Sequence, residues 1–177
     1  GGIGSDMDRN RVVATLWKGS TPESAINMDP PDSGFRSSWI SGMAPGVQVG
    51  NALTTTGKDH AQLWHNTPDS IIDMHPSFHP NKNSYMYGTL GWIHIGRSAG
   101  GAGYWLGDDP DSFVSLHDML PGSGADYLSS YPYDVDVIDN KLIIAGKADY
   151  KDYKSHAIVW IGTPTNATAR HFLKQTQ

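Results

Sequence analysis

Apolar and polar residues alternate along short stretches of the chain, as in Val47-Gln48-Val49, Ala61-Gln62-Leu63 and Ile93-His94-Ile95. A period of two puts successive side chains on opposite faces of an extended strand, so these stretches predict half-buried β-strands. β-Branched and aromatic residues cluster in such runs, bounded by Gly, Pro, Asn and Asp that supply turns. No segment carries a sustained helical period.

The strands recur in a fixed order. An Ala stands three residues before a Trp four times, at Ala14/Trp17, Ala61/Trp64, Ala102/Trp105 and Ala157/Trp160. Each Trp follows a Gly in or after a short apolar run (Gly4, Gly50, Gly96, Gly146) and precedes a Pro by four or five residues (Pro22, Pro68, Pro110, Pro164). Further on, Ser24, Ser70, Ser112 and Asn166 each stand five residues before Asp29, His75, His117 and His171. The Trp steps of 47, 41 and 55 residues average about 48, a period of four-stranded propeller blades rather than of helical repeats.

Each unit reads as strands a to d. The a strands fall at Ser37–Ser41, Ser84–Gly88 and Tyr133–Ile138; b ends at the repeated Gly, c at the repeated Trp, and d runs from the Ser or Asn to the Asp or His. The first unit lacks strand a. The expected fold is all-β: a β-propeller or propeller segment in one domain, residues 1–177, with units at about 1–36, 37–83, 84–126 and 127–177. Sheet faces in such an array must be covered by neighbours, so the units close into a ring or are completed by other blades. The opening Gly1-Gly2-Ile3-Gly4 reads as mid-strand sequence, which favours a fragment of a longer chain or one completed by a second copy.

The patterns Gly46-Val47-Gln48-Val49-Gly50, His60-Ala61-Gln62-Leu63-Trp64 and Ile72-Asp73-Met74-His75 resemble the HAF-type repeats of bacterial proteins. His156-Ala157 matches the His-Ala pair as well, whereas Val13-Ala14 and Gly101-Ala102 depart from it. The resemblance spans nearly the whole chain. It implies a propeller-like repeat fold, often secreted or envelope-associated, and implies no reaction.

Composition narrows the function. The 177 residues carry 13 Lys plus Arg against 18 Asp plus Glu, a net charge of −5, with no basic cluster, so nucleic acid and anionic membrane surfaces are poor partners. No apolar stretch is long enough to span a membrane as a helix. The absence of Cys excludes disulfides and thiolate metal sites. His75 and His79 have a four-residue ligand spacing, but the flanking Pro76 and Pro80 place them in a loop. The acidic stretches Asp29-Pro30-Pro31-Asp32 and Asp108-Asp109-Pro110-Asp111 lack the spacing of a calcium loop and read as capped turns. Asn166-Ala167-Thr168 fits a glycosylation pattern by composition alone. No cofactor, metal site or catalytic residue is expected.

The segments that interrupt the repeat are the candidates for function, because insertions in a propeller map to loops on one face. One, His75 to Tyr87, contains Phe78, Asn81, Lys82, Asn83, Tyr85 and Tyr87; the other, Asp126 to Asp139, contains Tyr127, Tyr131, Tyr133, Asp134 and Asp136. Aromatic rings offer flat apolar faces, and amides and carboxylates bond hydroxyl and amide groups. Tyr85, Tyr87, Tyr127, Tyr131, Tyr133 and Asp134 are therefore the expected ligand-binding residues of a non-catalytic module for carbohydrate or protein. The alternatives are a structural subunit of a larger propeller complex, or a hydrolase or metalloenzyme with His and Asp residues around a central channel.

Overall fold

A computed structural model describes residues 2–6, 11–29 and 33–163. They form four antiparallel sheets in chain order. The first contains β1 (Gly2–Asp6), β2 (Arg11–Trp17) and β3 (Ala25–Asn27). The second contains β4 (Phe35–Ala44), β5 (Val47–Thr54), β6 (Asp59–Trp64) and β7 (Ile72–Asp73), and the third β8 (Ser84–Thr89), β9 (Ile93–Ser98), β10 (Gly101–Leu106) and β11 (Val114–Ser115). The fourth contains β12 (Tyr127–Ile138), β13 (Lys141–Tyr150) and β14 (Ser155–Gly162). Each strand pairs with the next along the chain, so every sheet is a meander. The fourth strand expected for the last unit, with Pro164, Asn166 and His171, lies outside the described residues, as does the glycosylation-like pattern.

The repeated Pro and Ser bracket a short 3₁₀ turn between the third and fourth strands of a unit, at Pro22–Ser24, Pro68–Ser70 and Pro110–Ser112. Pro opens the turn because its fixed φ suits the first helical position and its missing N–H is not needed there. The serine closes it: Ser70 Oγ accepts from the His65 amide at 2.7 Å and donates to Thr67 O at 2.6 Å.

The repeated Gly does not end strand b. β5 and β13 each continue four residues past it, to Thr54 and Tyr150, and β9 continues two, to Ser98. The reason is steric, because a bulge in the preceding strand presses its backbone onto the glycine. A Cβ built at Gly50, Gly96 or Gly146 falls 1.8, 1.9 or 2.1 Å from the carbonyl oxygen of Trp39, Tyr85 or Tyr131, closer than any real contact. The ladder shifts register just beyond, leaving Ser41, Tyr87 and Tyr133 as the extra residues of three equivalent bulges.

Three cores lie between the four sheets. Ala14, Leu16 and Met28 of the first sheet pack against Ile40 and Trp64 of the second. Val47, Val49, Ala61, Leu63 and Met74 of the second pack against Met86 and Trp105 of the third. Ile93, Ile95, Ala102 and Leu116 pack against Val135, Leu142, Ile144 and Trp160 of the fourth. Each repeated Trp thus packs on the sheet before its own. Trp17, in the first of the described sheets, is 42% exposed, whereas Trp64 and Trp105 are fully buried.

The repeated Asp and His fasten neighbouring sheets. Asp29 Oδ2 accepts from Ser38 Oγ at 3.1 Å, and Nδ1 of His75 and of His117 lies 2.8 Å from Ser84 Oγ and Ser130 Oγ. Those serines, 46 residues apart on the first strands of the next sheets, also accept the backbone N–H of Ala14, Ala61 and Ala102 at 2.8–2.9 Å. The same alanines accept at their carbonyls from Met28, Met74 and Leu116. The pairing explains the alanine, whose small side chain lets the next strand approach.

Candidate functional site

The first strands β4, β8 and β12 carry Trp39, Tyr85 and Tyr131 at equivalent positions, 46 residues apart and half-buried. Ser84 and Met86 on either side of Tyr85 point into the cores, so alternation turns Tyr85 to the opposite face. Cross-strand pairing then sets Asn51, Arg97 and Lys147 beside Trp39, Tyr85 and Tyr131 respectively. Each of these polar residues immediately follows the repeated Gly.

Arg97 is the centre of the cluster. Its guanidinium lies 4.1 Å from the Tyr131 ring centroid and 5.9 Å from that of Tyr85, while Lys147 Nζ stands 4.8 Å from the Tyr131 centroid. Cations over aromatic faces are attracted by the ring quadrupole. Tyr85 and Tyr87 stack at 6.3 Å. The Tyr85 hydroxyl donates to Asp59 Oδ2 at 2.9 Å, and Asp59 Oδ1 accepts from Asn51 Nδ2.

Burial pushes the Tyr87 phenol up to about 12 and raises that of Tyr85, whose Asp59 partner adds to the effect. Both therefore remain neutral donors at neutral pH. Tyr131 is lowered instead, first by a hydrogen bond with Ser129 and then, against the desolvation of the ring, by the Arg97 charge. Lys147 is bonded to Asp149, which also accepts from Ser129 and Ser155. Arg97 has no carboxylate partner among the described residues; its Nη2 donates to Gly100 O at 3.3 Å.

Beside this cluster opens a groove of about 350 Å³, lined by Lys58, Asn81, Lys82, Asn83, Tyr85 and Arg97. Three cations and two amides face it. In a chain of net charge −5 this is a local reversal of sign.

The sequence-predicted residues are divided among different settings. Tyr85, Tyr87 and Tyr131 come together around Arg97. Tyr133 is the bulged residue of β12 and is 59% exposed, while Asp134 Oδ1 accepts its neighbour Val135's amide at 2.9 Å and so caps the bulge. Tyr127 meets Tyr150 edge-on at 5.0 Å and packs against the core between the third and fourth sheets. Asn81, Lys82 and Asn83 reach the groove, whereas Phe78 packs edge-on against His79. Sequence reading passed over Arg97, Lys147 and Asp59; the signal that could have found the first two is the polar residue directly after each repeated Gly.

Other candidate chemistry is committed to the fold. His75 Nε2 lies 2.9 Å from the His79 carbonyl, which can only accept, so Nε2 carries a proton and Nδ1 is left for the Ser84 hydroxyl. His79 Nδ1 lies 2.8 Å from Ser98 Oγ. These Ser–His pairs have the spacing of a nucleophile and its base, but Ser84 and Ser130 are fully buried and Ser98 is 3% exposed, so no substrate reaches them. Asp108 bonds His65, Asp111 accepts from both Ser77 N and Ser77 Oγ, and Asp109 caps its own turn. Among the described residues no group of three or more His, Asp or Glu side chains converges as metal ligands.

A larger, more apolar cavity of about 670 Å³ lies between the third and fourth sheets, lined by Leu106, Leu116, Met119, Leu142, Ile144 and Trp160. Of its polar members, Tyr104, Asp109, Ser112 and Thr163, the second and third are spent within their turn. In the preceding interface the comparable space holds Phe113, 4.6 Å from the Trp105 ring.

No family model, no curated protein and no solved structure matches this chain.

Proposed function

We propose that the chain is a segment of a β-propeller of the HAF-repeat kind that serves as a non-catalytic binding module, with an acidic carbohydrate as its ligand. The propeller reading is supported by the first strands β4, β8 and β12, which approach one another in sequence as innermost strands do, and by the repeat period. The binding reading rests on one observation: Arg97, held over Tyr85 and Tyr131, faces a groove shared with Lys58, Lys82, Asn81 and Asn83 and has no carboxylate partner among the described residues.

The geometry favours charge recognition over ring stacking. Tyr131 is occupied by Arg97 and Lys147, so a sugar ring does not find its face free. The rings instead orient the guanidinium, whose planar fork matches carboxylate and sulfate groups, and the two asparagines bond adjacent hydroxyls. A uronic-acid or sulfated oligosaccharide supplies both kinds of group.

Calorimetric titration with uronic-acid oligosaccharides tests the reading, with neutral oligosaccharides and acidic peptides as comparators. Binding of the acidic sugar that weakens at least tenfold in Arg97→Ala and is partly kept in Arg97→Lys is expected. Preference for acidic peptide would transfer the site to a protein partner, and affinity unchanged in Arg97→Ala would dismiss it.

A further inference from the structure

The last sheet presents to solvent the face that its predecessors bury. At the Ala position of the third strand, Ala14, Ala61 and Ala102 are fully buried, but Ala157 is exposed. Two residues further, Leu16 and Leu63 are 4% and 0% exposed, whereas the equivalent Val159 is 58% exposed and Ile161 beyond it 63%. On the second strand, Val49 and Ile95 are fully buried where Ala145 is exposed. The Ala157 position is Ala in every unit and the Val159 position is Leu, Leu and Tyr in the three before it; among the described residues only the fourth sheet leaves both uncovered.

At the other end of the array stands the complement. In all three internal interfaces such a face receives the Trp of the following sheet, and among the described residues Trp17 is the repeated Trp that packs on no other sheet in this way. We propose that the outer face of the fourth sheet docks the Trp17-bearing sheet of a second copy of this chain, head to tail. The proposed contact continues the internal interfaces, with the indole of one copy laid against Ala157 and Val159 of the other. Such a heterologous contact closes into a ring or extends into a filament according to the rotation per copy. It rests on the repetition of the sheets and is independent of the Arg97 groove.

The test is native mass spectrometry of the full chain with Trp17→Ser and Val159→Asp. Both residues are substantially exposed, so the substitutions spare the cores. Wild type should form particles of two or more 19.2 kDa chains, and each variant alone should be monomeric. An equimolar mixture of the variants should restore a heterodimer, because one supplies the intact outer face and the other the intact Trp17. A monomeric wild type, an assembly that survives either substitution, or a mixture that stays monomeric overturns the proposal. Arg97→Ala should leave the assembly unchanged, so failure of the binding reading is seen separately.

Discussion

The Ser84 hydroxyl lies 2.8 Å from His75 Nδ1 while accepting the Ala61 amide at 2.9 Å, so one side chain from the third sheet satisfies two groups of the second. The arrangement recurs with Ser38 and Asp29 in the preceding interface and with Ser130 and His117 in the following one. The first interface uses a carboxylate, balanced by Arg11 Nη1 at 3.2 Å from Asp29 Oδ2. An imidazole takes that place in the next two, where no such arginine is paired among the described residues.

Removing the hydroxyl leaves both partners buried and unsatisfied. Each such group costs about 1–3 kcal/mol, so Ser84→Ala should destabilise the protein by about 2–4 kcal/mol in urea unfolding. Ser77→Ala, which loses an exposed bond to Asp111, should cost less than about 1 kcal/mol.

The bulge leaves no room for a Cβ on the opposing glycine. Gly96→Ala, 1.9 Å from the Tyr85 carbonyl, should cost about 3 kcal/mol or more and shift the Tyr85–Arg97 geometry. Gly162→Ala meets nothing within 4 Å and should change stability by less than about 0.5 kcal/mol. Thermal melts of the two variants check the contrast.

Two of the three buried indoles donate across an interface: Trp64 Nε1 to Met28 O at 2.8 Å and Trp160 Nε1 to Leu116 O at 3.0 Å. The Trp105 Nε1 has no hydrogen-bond partner among the described residues. Phenylalanine at any of these sites loses similar packing, so Trp64→Phe should cost about 1–2 kcal/mol more than Trp105→Phe, the excess being the orphaned Met28 carbonyl. Equal losses in denaturant titration would contradict this assignment.

His94 is fully buried with Nδ1 2.8 Å from Thr89 Oγ1, and burial lowers its pKa from 6.5 to about 4. His75 is lowered in the same direction, first by burial and then by the His60 ring stacked 4.0 Å away. A depressed folded pKa means that the unfolded chain takes up the proton first. The stability is therefore complete above pH 6.5 and is lost as pH falls toward about 4. For His94 the loss is about 3 kcal/mol at roughly 1.4 kcal/mol per unit. His94→Gln should flatten that dependence, since Gln48 occupies the equivalent buried position in the second sheet. Urea midpoints at pH 7.5, 5 and 4 measure it.

Much of the local architecture was legible because its signals are local. The Pro and Ser of the first three units specify a turn within four residues, and the period-two runs specify strands. The end of strand b was misread at the repeated Gly because glycine commonly marks a turn, whereas here it answers a bulge in the paired strand. Of the expected binding residues, Tyr85, Tyr87 and Tyr131 meet around one arginine; Tyr127 and Asp134 serve packing and the bulge. Nothing in a tyrosine's own neighbourhood along the chain separates these cases.

By itself the sequence determined the all-β class, the four units, their strand order and the positions that must be apolar, because hydrogen-bonding pattern and side-chain alternation follow from neighbours in the chain. Only the tertiary structure decided which partners those positions meet. Ser84 joins Ala61 from 23 residues away, Arg97 lies over Tyr131 from another sheet, and Val159 is exposed where Leu63 is buried. Period two assigns a side chain to a face, but what lies across that face is set by the packing of whole sheets.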